Sequence, residues 1–536
     1  MCHADTVSTG VLPINRLLTL IPKRAESRQA EQLRDTFVDS GVAAAMETVD
    51  HQVLYGRRGT GKTHALRYLE TLMQERGDVS VYIDLRTVGS PEGLFLGEAV
   101  HPTERAARLL VDALGQLHDS LLEAALNDDR LIVDAAFVDR LDRLLEAITS
   151  IRVRGEVEIA QEGEQTAAEK ASAGAGLTLS GKPQFTAQAS SDSATEHRSL
   201  RRETRRGSER VGLNFTDVAR ALRDLAAALS SKRVWLLLDE WSSLPTSIQP
   251  YLAEFLVRCV LPLQAFTVKI AAIEQQSTFR TRLPEGTTIG IELGADVTAN
   301  LDLDEFMVFE QNEEKARTFF RGLLFKHLTS GVEAQDRLES LATERDLVRI
   351  GFTDSRVFDE LVRAAEGVPR DALNVLSRAA LHAGDRQVSV PDIRRAAQAW
   401  YQTDKAGALR SRDEAQQLLN WVIDNVIREK RARGFLVNQK DGQAPLLLAL
   451  FDARVLHLVR RGYSAQDEPG ERYDVYVIDY GAYVDLMRTK NEPRDLLPVS
   501  TEDDSGAGYV DVPTQDLRSL RRAILDLEVW AANSGF

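Results

Sequence analysis

Short apolar runs, each closed by a turn or an acid, alternate with amphipathic stretches through the first part of the chain. QVLYG (52–56), VSVYIDLR (79–86), VWLLLDE (234–240), FTVKIAAI (266–273) and TIGIEL (288–293) carry the branched and aliphatic content of strands. The segments between them have helical period: 12–50, with Leu33, Phe37, Val42 and Met46 leading into the first strand; HALRYLETLMQ; 102–126; and 134–150. Five strands separated by helices or inserts predict a βαβ parallel sheet. VWLLLD is apolar without interruption before its acid, as a strand covered on both faces must be.

The pattern changes at 151–212. IRVRGEVEIA alternates apolar with polar, GLTLS and PQFTAQA alternate again, and Ala, Ser, Gly, Thr and Gln dominate between them. Two readings stand: an inserted antiparallel β element with flexible joints, or a disordered loop. From 303 to 400 the period is helical throughout. A helix at 411–430, the strand GFLVN, one or two short helices in APLLLALFDARVLHLV and two strands around QDEPGER then predict a winged helix, and a last helix is expected at 514–532. The expected domains are an N-terminal helical segment (1–50), a nucleotide-binding core (51–300) carrying the 151–212 insertion, a helical lid (301–403), a winged-helix domain (404–500) and a tail with a terminal helix (501–536).

Composition narrows the setting. The 536 residues are 27% charged and 43% hydrophobic, an ordinary globular balance. Two cysteines, Cys2 and Cys259, support neither a disulfide framework nor a zinc cluster. With no signal-peptide pattern and no apolar run of spanning length, a cytoplasmic location without membrane contact is expected. The net charge of −15 argues against attraction of nucleic acid by the whole surface.

The chemistry concentrates at GRRGTGKT (56–63), which matches G-x-x-x-x-G-K-[ST] in full between a strand and a helix. Gly56, Gly59 and Gly61 let the backbone, with Thr60 among them, turn its N–H groups towards phosphate oxygens. Lys62 is placed to reach the β- and γ-phosphates of ATP, and Thr63 to hold Mg²⁺. Asp239, at the end of the apolar strand, is a second Mg²⁺ candidate, directly or through water. Glu240 is positioned to orient or deprotonate the attacking water. The strand VKIAAI ends in Glu274, Gln275 and Gln276. Gln275 is the first choice to hold that water, Glu274 the next, and a polar strand cap the alternative. In EGVPRDALNVL, Arg370 opens a helix after a Gly-x-Pro turn and is read as a γ-phosphate contact, against an ordinary surface arginine.

The order of GRRGTGKT, VWLLLDE, IAAIEQQ, GVPRDAL and a carboxyl-terminal winged helix resembles AAA+ ATPases of the origin-recognition/initiator type, over roughly residues 30–490. The resemblance implies an α/β fold: a P-loop AAA+ parallel-sheet core, a helical lid and a C-terminal winged-helix domain. It implies ATP hydrolysis with Mg²⁺ and an ATP-dependent homo-oligomer. Lys62 and Thr63 match the phosphate loop, Asp239 and Glu240 the acidic strand, Gln275 the first sensor, where the family usually has Asn, and Arg370 the second sensor. A trans arginine finger is implied before the fifth strand, where Arg280 and Arg282 stand; they are finger candidates or solvated loop arginines. Bacterial members of this group tend towards mobile-element or defence ATPases.

Partner binding leaves two routes. Residues 412–490 hold 12 Lys/Arg and 12 Asp/Glu, the almost wholly apolar APLLLALFDARVLHLV could not reach base edges with donors, and the wing tip QDEPGER is mainly acidic. The winged helix is therefore expected to bind protein or pack on the ATPase at least as readily as DNA. In the insertion, Arg198, Arg201, Arg202, Arg205 and Arg206 share one helical face. They would meet phosphates or acidic neighbours. The chain is thus expected either to assemble on or remodel a nucleic-acid or protein partner, or to act as an ATP-controlled signalling switch without nucleic acid.

Overall fold

The carboxyl ends of five parallel strands form one edge, and everything that follows is built on it. In this computed structural model the strands are β1 (Gln52–Tyr55), β2 (Val79–Asp84), β3 (Val234–Asp239), β4 (Phe266–Ala272) and β5 (Thr298–Asp302), in the order β2-β3-β4-β1-β5. Register aligns the ends: Asp84 lies beside Asp239, and Tyr55 beside both Ala272 and Asp302. The structure describes residues 12–25, 30–89, 102–126, 135–149, 152–153, 209–210, 213–229, 232–304, 312–330, 338–428, 434–464, 470–487, 498–499, 508–509 and 523–534.

One strand differs from the sequence reading. Thr288–Gly290, within TIGIEL, pairs antiparallel with Arg280–Arg282 in a separate hairpin. The fifth strand of the sheet is instead TANLD, on the outer side of β1. An edge strand needs few apolar residues. Here Leu301 is buried and Thr298 exposed, so no continuous apolar run marked it.

Helix α1 (Pro13–Leu20) is followed by short helices at 30–36 and 43–46, then by α2 (Lys62–Glu75). Leu66, Leu69 and Met73 of α2 meet Val42, Met46, Leu54, Leu237 and Trp235 on one face of the sheet. The other face is covered by α3 (Pro102–Leu126), α4 (Ala135–Thr149), α5 (Phe215–Ala228) and the 249–260 helix. Because both faces are closed, every residue of β3 and β4 is buried.

Beyond the sheet, α6 (Glu313–Thr329), α7 (Ser355–Ala365), α8 (Pro369–Ala383) and α9 (Val390–Trp400) form a helical layer with its own core. Helix α1 belongs to this layer: the Asn15 amide donates to the carbonyls of Gly384 and Arg386 at 2.9 and 2.8 Å. The two ends of the expected N-terminal segment therefore serve different layers, since 43–46 lies under the sheet.

A third core joins α10 (Asp413–Trp421), β6 (Gly434–Asn438), α11 (Pro445–Asp452), β7 (Leu456–Tyr463), β8 (Tyr473–Ile478), α12 (Tyr480–Met487), β9 (Ile524–Leu525) and α13 (Leu527–Ser534). Its sheet runs β7-β8-β6-β9, antiparallel except for β9 on β6. LHLV is thus strand, not helix, after a turn in which Arg454 has φ +59°. Within the expected helix 514–532, Ile524–Leu525 is a strand paired with Leu436–Val437 and helix is found over Leu527–Ser534; 510–522 lie outside the described residues.

Residues 150–212 form a separate unit, described only where Arg152–Val153 pairs antiparallel with Glu209–Arg210. The five arginines from Arg198 to Arg206, the rest of the inserted β element, residues 429–433 of the basic stretch REKRARG (428–434) and wing-tip residues 465–469 lie outside the described residues. Among the described residues no helix is long and apolar enough to cross a membrane.

Candidate functional site

The 56–63 loop leaves β1 at the common strand edge and returns directly into α2. Gly61, with φ +103°, is the N-cap and offers no side-chain cap, so the first-turn N–H groups of α2 are open to a ligand. Gly59, with φ +91°, is held against the start of α8: its carbonyl accepts from the Arg370 N–H at 3.2 Å. A Cβ on Gly59 would lie 2.8 Å from the Arg370 Cβ, and one on Gly56 would lie 2.5 Å from the Thr60 hydroxyl. Glycine at these positions is what lets the loop tuck between the sheet and α8.

Lys62 is only 7% exposed, and its ammonium donates to the carbonyls of Gly56 and Arg57 at 2.7 and 3.0 Å. Burial pushes its pKa down, while Glu240 and Asp239 pull in the opposite direction. Thr60 donates through its hydroxyl to the Arg57 carbonyl at 2.9 Å. At the end of β3, Asp239 is fully buried, accepting from the Tyr82 hydroxyl at 2.7 Å and from the Glu240 N–H at 2.8 Å. Glu240 has φ +56°, a strained conformation for a side chain of its size, and its carboxylate stands 3.8 Å from Arg86.

These groups open on a cavity of about 300 Å³ lined by Gly59, Gly61, Lys62, Thr63, Glu240 and Arg370. Its charge is one-sided. Lys23, Arg24, Arg58, Lys62, Arg86 and Arg370 face Glu240 as the single carboxylate among its lining residues, in a chain of net charge −15. The first residues of both α2 and α8 line it, so two helix N-termini add positive potential. Pro22, Lys23, Arg24 and Ala25 form a 22–25 wall of the cavity, and Pro22, Leu33, Leu323 and Leu373 supply its apolar surface.

The expected residues are not all brought together. Gln275 and Glu274 line a second cavity of about 30 Å³ with Tyr55, Gly56 and Phe451. Glu274 accepts from Arg461 of β7. Arg280 and Arg282 are exposed on their hairpin, Arg280 paired with Glu292 at 2.8 Å and Arg282 donating to the Gly286 carbonyl at 3.3 Å. Sequence reasoning missed Tyr82, Arg86 and the 22–25 wall. Tyr82 carried a weak signal, since it alternates outward along β2 towards the acid-bearing strand. Nothing in the motif marked Arg57 as more than a variable position.

Residues 20–89 match the profile of the ORC-CDC6-like family. The match takes in the loop, α2, β2 and the 22–25 wall, and it supports an initiator-type AAA+ relationship. No curated protein matches the chain.

Proposed function

We propose that the chain is an ATP-binding and ATP-hydrolysing AAA+ ATPase of initiator type that assembles on or remodels a nucleic-acid or protein partner. The observation that carries this reading is the cavity itself: six cations against one acid, beside a complete phosphate-binding loop and two helix N-termini. That lining suits a polyanion with an apolar end, as a nucleoside triphosphate is. Lys62, Arg370 and the backbone of Gly59–Thr63 hold the phosphates. The Thr63 hydroxyl and, through water, Asp239 are the fitting Mg²⁺ donors. Both carboxylate oxygens of Asp239 are already oriented by Tyr82 and the Glu240 N–H, which favours the water-bridged form. Bound Mg²⁺ supplies charge neutralisation on the phosphates. Glu240 accepts the proton as water oxygen bonds to the γ-phosphorus and the bond to the β-phosphate oxygen breaks. Gln275, which lines the smaller cavity with Gly56, is the candidate for orienting that water. Arg280 and Arg282 act on a neighbouring copy. A direct test separates binding from turnover: Lys62→Ala loses MgATP affinity, whereas Glu240→Gln keeps it and stops hydrolysis. Normal turnover in Glu240→Gln sinks the assigned role.

We read α10, β6, α11, β7 and β8 as a winged helix. Its α11 faces inward, with Leu447, Leu450 and Phe451 buried and Phe451 stacked beneath the Arg57 guanidinium. That face is closed to a DNA groove, and the partly exposed remainder, with Pro445, Leu446, Leu448 and Asp452, carries no basic residue. This favours a second reading, an ATP-controlled signalling switch working through protein–protein assembly without nucleic acid; the mobile-element or defence setting belongs to the first. Salt-sensitive stimulation of ATP hydrolysis by DNA supports the first reading, and its absence supports the second.

A further inference from the structure

Arg57, the second residue of the loop, does not line the 300 Å³ cavity, yet it is 2% exposed and bound on every side. Its N–H and Nε donate to Asp304 at 2.8 Å each, tying it to the end of the core. One terminal nitrogen donates to the Glu366 carbonyl, at the end of α7, at 3.3 Å. The other donates to Nδ1 of His457, on β7, 400 residues away. His457 Nε2 lies 3.0 Å from Asp479, which also meets the buried ammonium of Lys405. Lys405 in turn stands 2.8 Å from Asp371, in the first turn of α8 beside Arg370. The polar path thus leaves the loop at Arg57, crosses the carboxyl-terminal core and returns to the cavity at Arg370, whose N–H holds the Gly59 carbonyl.

His457 suits this task only as the neutral Nε2–H tautomer, accepting from Arg57 and donating to Asp479. Burial, and then Arg57 beside it, favour that neutral form by pushing its pKa down to about 3. The link to ligand runs through the Arg57 carbonyl, which accepts from both Lys62 and Thr60. A phosphate entering the loop competes with that carbonyl for the Lys62 ammonium. Release of that carbonyl would free the Arg57–Arg58 peptide to move, with the Arg57 side chain still anchored to His457.

We propose that His457 and Asp479 are positioning residues for the phosphate loop. Through Arg57 they link nucleotide binding to the docking of the carboxyl-terminal α/β module, 434–487, on the core. The inference rests on the nucleotide reading of the cavity. Two measurements test it. In the wild-type chain, saturating MgATP should change hydrogen–deuterium exchange in β7, none of whose residues lines the nucleotide cavity. His457→Ala should weaken MgATP binding by about 5- to 150-fold, the range of ordinary site–site coupling. It should also abolish the β7 response while β6 stays protected. Arg57→Ala combined with His457→Ala should bind no worse than the poorer single variant, and His457→Gln, whose amide can both accept and donate, should restore most of the affinity. Unchanged β7 exchange in a wild type that binds MgATP overturns the proposal, as does His457→Ala affinity within twofold of wild type. A wild type that binds no MgATP refutes the nucleotide reading and this inference with it. Should His457→Ala fail to fold, the wild-type exchange experiment decides alone.

Discussion

Gly59→Ala puts the seat of the loop against α8 to a quantitative test. The new Cβ would stand 2.8 Å from the Arg370 Cβ, 3.2 Å from the Val368 Cγ1 and 3.3 Å from the Arg370 Cδ. Carbon atoms rest at about 3.5–4.0 Å, so loop and helix must part by nearly 1 Å. The Arg370 N–H bond to the Gly59 carbonyl, already 3.2 Å long, is lost in the process. Two costs add. An alanine at φ +91° carries about 1–2 kcal/mol of left-handed strain, and the overpacked contact about 1–3 kcal/mol. Gly61→Ala is the internal control, because Gly61 has φ +103° with no atom within 4 Å of its would-be Cβ. The strain cancels between the two variants, leaving about 1–3 kcal/mol for the contact alone, or roughly 5- to 150-fold in an equilibrium constant. Thermal unfolding of the two variants without nucleotide reads this difference, at about 1–2 °C per kcal/mol for a chain of 536 residues. Replacing Arg370 by glycine in the Gly59→Ala background removes the nearest clash and should recover part of the loss. Equal melting temperatures for Gly59→Ala and Gly61→Ala refute the proposed loop–helix contact.

ATP should promote self-association of Glu240→Gln in sedimentation experiments, and Arg280→Ala with Arg282→Ala should cut wild-type turnover. A monomer with and without ATP, hydrolysing normally, rules out a finger supplied in trans. Stability should fall as pH drops from 6.5 towards 3, by up to about 1.4 kcal/mol per pH unit from His457 alone. The sign follows because its folded pKa is depressed: the unfolded chain takes up a proton in that window, and the folded one, with Arg57, Lys405 and Asp479 around the ring, does not. Urea unfolding of His457→Gln should therefore show a shallower loss than wild type, and parallel curves contradict the assignment. Replacing 160–207 by a short Gly/Ser linker should leave basal ATP hydrolysis intact and abolish stimulation by a partner; collapse of basal hydrolysis would make the insertion part of the catalytic core.

Legibility followed the range of the interactions. The places of Lys62 and Thr63 at the start of α2, and of Asp239 and Glu240 at the end of β3, were readable because a glycine-rich loop and an uninterrupted apolar strand are each local signatures. The buried β3 was readable for the same reason, since a strand covered on both faces is mostly apolar; β4 keeps Thr267 and Lys269 buried, each hydrogen-bonded to backbone carbonyls. The edge strand TANLD was not, because one-sided pairing relaxes that demand, and TIGIEL, richer in β-formers, drew the assignment away. Helix α1 looked like part of a single N-terminal segment, but Asn15 found its acceptors 369 and 371 residues on. Arg57 occupies a motif position that accepts any residue, so only the folded chain, by bringing Asp304, Glu366 and His457 around it, could give that arginine a role. Burial of α11 was likewise decided by tertiary structure. A short apolar helix reads the same whether it faces a groove or a core, and here the loop's own guanidinium lies over Phe451. Local pattern records what one segment must bury or bind; which distant partner satisfies it depends on closures across hundreds of residues, and these leave no periodic trace.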